Sequence, residues 1–152
     1  MNRLNPLAEV ALIGLLLSFA PPLAAHESAQ SAVQAGAGLF ATRWNLRAID
    51  AKPLEAREGR NAPHLVIDGQ GRLSGSGGCN RLMGSYRLEG SVVRFGPVAT
   101  TMMACLSGGA DEKRFLAALA RVVHWRAEKG VLSLSDAQGR EILRFSAEDP
   151  AP

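Results

Sequence analysis

Cysteine, aromatic residues and clustered basic residues are all scarce in this 152-residue chain. It contains two cysteines, two tryptophans and one tyrosine, and its arginines are scattered rather than grouped. Domains that bind nucleic acid usually carry a basic cluster or stripe, so this composition argues against a nucleic-acid partner. The chain also lacks a C-x-x-C pair and paired histidines at zinc-ligand spacing. No metal and no cofactor are therefore expected.

The apolar run near the N-terminus is too short to cross a membrane. It covers residues 10–20, whereas a spanning helix needs roughly 18 to 20 residues. It follows Arg3 and precedes small residues that end at Ala25, an arrangement typical of a signal peptide over residues 1–25. An uncleaved N-terminal membrane anchor is the alternative. No cysteine lies near the cleavage site for lipid attachment, so the mature chain is expected to be periplasmic or secreted, without a stable membrane span.

The mature chain has the length of a single domain. Residues 26–39 are rich in alanine, serine, glutamine and glycine, a composition that predicts a flexible linker. The folded domain is predicted at residues 40–146, and residues 147–152 are predicted to form a disordered tail. The first strand is indicated by Trp44 and Leu46, which alternate with polar residues.

Both cysteines lie in a stretch, residues 71–105, that also has the densest glycines. No large residue follows Leu73 in the run SGSGGCN, so the backbone there can approach a neighbour closely or adopt a positive φ. The run predicts a strand that ends in a bulge or a sharp corner. A second strand follows, and the residues Glu89-Gly90-Ser91 indicate a tight hairpin.

The last third of the chain combines one helix with several strands. Asp111 and Glu112 favour a helix N-terminus, and Phe115, Leu119 and Val122 fall on one face at helical spacing. Short alternating segments after this helix predict strands. The predicted fold class is α+β, a mostly antiparallel, strongly bent sheet or open barrel of seven to nine short strands with one packed helix. No internal repeat is identified.

One motif joins the two cysteine segments. It reads S-G-x-x-G-C-N-R-x-x-G-x-Y from Ser74 and T-x-M-x-C from Thr101, with Trp44-x-Leu46 upstream and Glu112-x-x-Phe115 downstream. This pattern resembles the META/HslJ-type domain family and covers nearly the whole mature chain. The family-motif residues that the resemblance singles out are Gly78, Cys79, Asn80, Arg81, Gly84, Thr101, Met103 and Cys105.

The resemblance implies a fold and a setting more than a reaction. Proteins of this type are associated with the bacterial envelope and with heat shock, stress or antibiotic tolerance, and their biochemical activity is poorly defined. Met102 stands where members of the family often carry a basic residue. A role that depends on charge at that position is therefore not expected here.

The two cysteines are open to three interpretations. In an exported protein an even pair indicates a disulfide, and a bond between Cys79 and Cys105 closes a loop of about 27 residues. A pair of small buried thiols that never meet is the second interpretation. A catalytic cysteine with His64 or His124 as its base is the third, although no nucleophile signature surrounds either cysteine.

No catalytic constellation stands out, so a non-enzymatic module that acts by binding is expected. Its partner would be an apolar small ligand or another envelope protein, held in an apolar cavity lined by Trp44, Met103, Phe115 or Trp125. A purely structural or protective domain with a filled core is one alternative. A cysteine-dependent enzyme is the other.

Overall fold

The computed structural model describes residues 38–55, 62–105 and 109–148. The predicted signal peptide, most of the predicted linker and the last four residues of the predicted tail lie outside these residues. The described residues form ten strands and one helix. In chain order these are β1 (Arg43–Ile49), β2 (Lys52–Pro53), β3 (His64–Ile67), β4 (Arg72–Ser76), β5 (Arg81–Glu89), β6 (Val92–Phe95), β7 (Ala99–Thr100), α1 (Gly109–Leu119), β8 (His124–Glu128), β9 (Val131–Ser135) and β10 (Glu141–Ala147).

Eight of these strands form an antiparallel β-barrel. The strand order is β1, β3, β4, β5, β6, β8, β9 and β10, and β10 returns to pair with β1, where Leu46 lies opposite Phe145. The short strands β2 and β7 extend the sheet beside β1 and β5. The predicted mostly antiparallel fold with one helix is confirmed. The barrel is closed rather than open, and β2 and β7 bring the described strands to ten, above the predicted seven to nine.

The barrel interior is filled by apolar side chains. Trp44, Leu65, Leu82, Leu132 and Phe145 are each at most 2% exposed, because the alternation of side chains along each strand turns one face inward. Each buried side chain of this kind stabilises the fold by roughly 1.5–3 kcal/mol. The interior at these residues is therefore an apolar core.

Helix α1 packs against β1 and β10. Phe115 is fully buried and meets Phe145 edge to face, with ring centroids 6.0 Å apart. Val122 was predicted on the same helical face and is buried, but it lies beyond the helix. The reason is a tight turn after Leu119, in which the Val122 amide donates to the Leu119 carbonyl at 3.3 Å.

The hairpins β3–β4 and β9–β10 are closed by the same five-residue turn, with the sequence DGQGR at residues 68–72 and DAQGR at 136–140. In each turn the aspartate accepts hydrogen bonds from two backbone amides and from the arginine Nε, at 2.7–3.0 Å. The glycines, Gly71 and Gly139, have φ values of 84° and 76°, a region that glycine adopts without strain. The turn is a short internal repeat, whereas no repeat was expected from the sequence.

The described residues include structured positions slightly outside both predicted boundaries of the domain. Leu39, the last residue of the predicted linker, is 1% exposed and accepts a hydrogen bond from Trp44 Nε1 at 3.0 Å. At the other end Ala147 belongs to β10, and the Glu148 amide donates to the Arg43 carbonyl at 2.8 Å. The first residue of the predicted disordered tail is thus part of the sheet, and the second is hydrogen-bonded to it. Gly38 and Ala147 line one small cleft of about 140 Å³.

Candidate functional site

The glycine-rich motif forms a sharp corner between β4 and β5. Over residues 77–80 the Gly77 amide donates to the Asn80 carbonyl at 2.9 Å, and the Gly78 amide donates to Ser76 Oγ at 3.1 Å. Gly78 has a φ of 103°, which a residue with a side chain rarely adopts. The corner turns Cys79 and Asn80 towards the first turn of α1.

Asn80 and Glu112 are the centre of a buried polar network, and each is 7% exposed. Glu112 Oε2 accepts hydrogen bonds from the amides of Asn80 at 2.7 Å and Cys79 at 3.3 Å, and Oε1 accepts one from Asn80 Nδ2 at 2.7 Å. Asn80 Oδ1 accepts from Thr101 Oγ1 at 3.0 Å and from the Met103 amide at 2.8 Å. We call these five residues the anchor network. It fastens the segment of residues 101–105 to both the corner and the helix.

A disulfide joins the same two segments. Cys79 and Cys105 are bonded, with their Cα atoms 5.8 Å apart, and the predicted disulfide is thus present. Asn80 Nδ2 lies 3.7 Å from Cys105 Sγ, so the bond sits beside the anchor network. Both sulfurs are committed to this bond, and neither is a thiol in this state.

Six of the eight family-motif residues meet at this corner: Gly78, Cys79, Asn80, Thr101, Met103 and Cys105. Arg81 contributes its backbone, which exchanges hydrogen bonds with Thr101, while its side chain is exposed. Gly84 lies further along β5, where a Cβ would meet the Pro97 carbonyl oxygen at 3.2 Å. Sequence reasoning places Glu112 in the motif and at the helix N-terminus but does not predict its hydrogen bonds to the corner.

An open groove of about 730 Å³ lies on the outer face of β3, β4 and β5, next to the disulfide. We call it the outer groove. Its exposed apolar side chains are Met83, 68% exposed, and Met103, 58% exposed. The described residues of its lining are Arg43, His64, Ser74, Gly75, Ser76, Cys79, Arg81, Leu82, Met83, Thr101 and Met103. A second open cleft of about 640 Å³, which includes Met102 and Lys113, lies on the other side of residues 101–105.

His64 is the titratable ring in the outer groove. Its Nδ1 lies 2.8 Å from the Ala62 carbonyl oxygen, so Nδ1 carries the proton and donates. Burial lowers the pKa of His64 below its ordinary value, the nearby Arg43 lowers it further, and the hydrogen bond to Ala62 opposes the shift. The ring is therefore neutral near pH 7.

The four residues predicted to line an apolar cavity do not share one. Trp44 and Phe115 are packed in the core. Trp125 is half-buried on β8, where its Nε1 donates to the Gly90 carbonyl at 2.9 Å. Only Met103 lies in the outer groove. Trp44 also borders the small cleft of about 140 Å³, while inward-facing side chains fill the barrel interior around Trp44 and Phe115.

Two negative observations concern the described residues. Within residues 38–55, 62–105 and 109–148, no three histidine, cysteine, aspartate or glutamate side chains are grouped as metal ligands would be. No helix in that part of the chain is long and apolar enough to span a bilayer.

Comparison with known proteins identifies the family. The family model described as the META domain matches residues 37–149. The chain belongs to the META domain family. The match covers the barrel, the helix, the anchor network and both cysteines.

Solved structures share the fold of this META domain. A protein from Burkholderia xenovorans, determined by NMR, has 28% sequence identity and a TM-score of 0.58, covering 74% of this chain and 85% of its own. A DUF4847 family protein from Bacteroides vulgatus has 14% identity and a TM-score of 0.53, covering 72% of this chain and 94% of its own, and supports the fold alone. No curated protein matches the chain.

The contact between the corner and the helix of this META domain can be tested at Gly77. A Cβ added there would lie 2.5 Å from Glu112 Oε2 and would also collide with Glu112 Cγ and Cδ. We expect Gly77→Ala to lower the free energy of unfolding by about 1–3 kcal/mol, because the buried carboxylate has to move. Urea denaturation measures the change.

The matched control for this test is Gly69→Ala, since no heavy atom lies within 4 Å of the Cβ that it would add. The control is expected to leave the stability within about 0.5 kcal/mol of the wild type. Equal stability of the two variants would show that Gly77 is not packed against Glu112.

Proposed function

We propose that this META domain is a non-enzymatic binding module, exported to the bacterial periplasm, that holds its ligand in the outer groove. One observation carries the proposal. The barrel interior is filled, yet Met83 and Met103 remain exposed beside a groove of about 730 Å³. Methionine side chains adapt to varied apolar shapes, and this volume lies within the usual range of small-molecule sites.

The disulfide and the N-terminal sequence support export. Disulfides persist in oxidising compartments such as the periplasm and are rare in the cytosol. The bond between Cys79 and Cys105 would be stable there. The basic residue, apolar run and small residues of positions 1–25 have the layout of a signal peptide.

The state of the polar groups near the groove supports binding rather than catalysis. Glu112 accepts three hydrogen bonds within the anchor network, and the two cysteines are bonded to each other. His64 is half-buried and directs its proton to the Ala62 carbonyl. A nucleophile paired with a base, the usual requirement for covalent catalysis, is not assembled among these groups.

The test is native mass spectrometry of the protein purified from the periplasm. We expect a co-purified small molecule that is lost in the variant Met83→Ser/Met103→Ser and kept in Met102→Ser, whose methionine is 97% exposed but lies outside the outer groove. Retention of the molecule by the double variant would contradict the proposal.

A purely structural or protective module is the second candidate, and the filled core favours it. For such a module, apolar tripeptides, fatty acids and phospholipids would leave the melting temperature unchanged. A ligand at about 100 times its Kd stabilises a protein by roughly 2.7 kcal/mol, a shift that thermal unfolding detects easily.

A further inference from the structure

The outer groove has a cationic end, and the described residues of its lining include no carboxylate. Arg81 is exposed on β5, and its guanidinium forms no ion pair with any residue of the described ranges. Arg43, at the other end, is engaged with Glu148 at 3.3 Å. His64 is the third basic side chain of the lining, and burial holds its pKa below the ordinary value, so it is uncharged near pH 7. Among the described residues of the lining, Arg81 is therefore the cation that can meet an anionic ligand.

The apolar and cationic side chains stand next to each other on one face. Met83 and Arg81 are two residues apart on β5, which places them on the same face about 7 Å apart. Their partners across the β4–β5 pair are small: Ser74 lies opposite Met83, and Ser76 lies opposite Arg81. The small partners leave room above β4 between the larger side chains.

The floor of the groove cannot bind a ligand through its backbone. Strand β4 pairs with β3 on one side and with β5 on the other, so its amides and carbonyls are already used in the sheet. An extended peptide gains affinity mainly by pairing its main chain with a free strand edge. Recognition here is left to side chains, which in the described lining include the Arg81 guanidinium, a few hydroxyl groups and two thioethers.

We propose that the outer groove binds a single-chain monocarboxylate amphiphile, a fatty-acid anion, with its carboxylate on Arg81 and its alkyl chain against Met83 and Met103. This inference rests on the proposed function and names its ligand class. Within the described lining, the single guanidinium without an ion pair matches a ligand with one negative charge, and its planar fork binds a carboxylate with two hydrogen bonds. The methionines supply the apolar contact for the chain.

The test measures the affinity of laurate, below its micelle concentration, for the mature protein by isothermal titration calorimetry. We expect laurate to bind, and dodecanol and acetate to bind at least about tenfold more weakly, because each lacks one half of the recognised chemistry. If dodecanol bound as tightly as laurate, the carboxylate would not be recognised. If acetate bound as tightly as laurate, the alkyl chain would not contribute. Either result would overturn the proposal. If dodecyl phosphate bound more tightly than laurate, the assignment of the ligand as a monocarboxylate would be wrong.

Matched variants locate the site. Arg81→Gln is expected to lower the affinity for laurate about 10- to 100-fold. Arg87 is an exposed arginine on the same strand outside the groove, so Arg87→Gln is expected to leave the affinity unchanged. Met83→Ser is expected to lower the affinity for laurate, and Met102→Ser is expected to leave this affinity unchanged. Equal affinities within each pair would overturn the proposal, and unchanged melting temperatures of the free variants establish that they fold.

The failure of this inference is distinguishable from failure of the proposed function. If the co-purified molecule is lost from Met83→Ser/Met103→Ser but laurate does not bind, the groove binds a different ligand class and only this inference is wrong. If the double variant keeps the molecule and laurate does not bind, both are wrong.

Discussion

Replacing Glu112 with alanine is expected to lower the free energy of unfolding by about 3–5 kcal/mol. The carboxylate accepts hydrogen bonds from two backbone amides and from Asn80 Nδ2, and all of them are buried or half-buried. A buried donor that loses its acceptor costs about 1–3 kcal/mol, and three lose it together. The cavity left by the side chain adds to this cost. Urea denaturation followed by circular dichroism measures the change.

Two variants at and beside Glu112 separate the hydrogen bonds from other effects. Glu112→Gln keeps the shape and one acceptor oxygen, but its amide group would face donors, so an intermediate loss is expected. Lys113→Ala removes an exposed neighbour on the same helix and is expected to change stability by no more than about 0.5 kcal/mol. If Glu112→Ala lowered the free energy of unfolding no more than Lys113→Ala does, the anchor network would not stabilise the domain.

Removing the disulfide is expected to have the second largest effect. The bond closes a loop between Cys79 and Cys105, a sequence separation of 26 residues, and the chain-entropy model gives about 3.5 kcal/mol for a loop of this size. The variant Cys79→Ser/Cys105→Ser should therefore unfold at a lower urea concentration than the oxidised wild type. The segment of residues 101–105 would then be fastened by the anchor network and by the hydrogen bonds between Thr101 and the Arg81 backbone.

A reductant provides the internal control for the disulfide. Dithiothreitol should lower the stability of the wild type to about the level of the double variant and leave the double variant unchanged. A wild type that melts at the same temperature as the double variant under oxidising conditions would exclude a stabilising bond. A reductant effect on the double variant would show that the reagent acts elsewhere.

The fold was largely predictable because its signals are local. The alternation around Trp44 predicts an inward face, and the run SGSGGCN predicts a corner because small residues permit close approach. Adding a Cβ at Gly75 would bring it into collision with the His64 carbonyl on β3, the close approach that the glycine permits. The closure of the barrel was not predictable in the same way, since β1 and β10 are far apart in sequence and meet only through the tertiary fold.

The anchor network was hidden from sequence reasoning for a similar physical reason. Asn80 and Glu112 are 32 residues apart, and Asn80 and Met103 are 23 residues apart. Nothing local distinguishes Glu112 from any acid in a first helical turn, where such residues are common because of the helix dipole. The closest signal was the paired occurrence of G-C-N and E-x-x-F within one motif, which the tertiary contact explains.

The exposed groove around Met83 and Met103 also could not be predicted from the sequence. Met83 alternates with buried Leu82 and so points outward, but an outward position on a strand does not reveal a groove. The groove depends on small residues of β4 lying opposite large residues of β5, a matter of register. Register is decided by the whole set of inward-facing side chains rather than by any one turn.

The two ends of the described domain lie side by side. The Glu148 amide donates to the Arg43 carbonyl, and Gly38 and Ala147 line the same small cleft. A domain with adjacent ends can be inserted into a surface loop of a host protein without separating any paired strands. Its chain can equally be rejoined at these ends and reopened at the Gly90 hairpin. The barrel is therefore suited to circular permutation, in which the same fold begins and ends at a different turn.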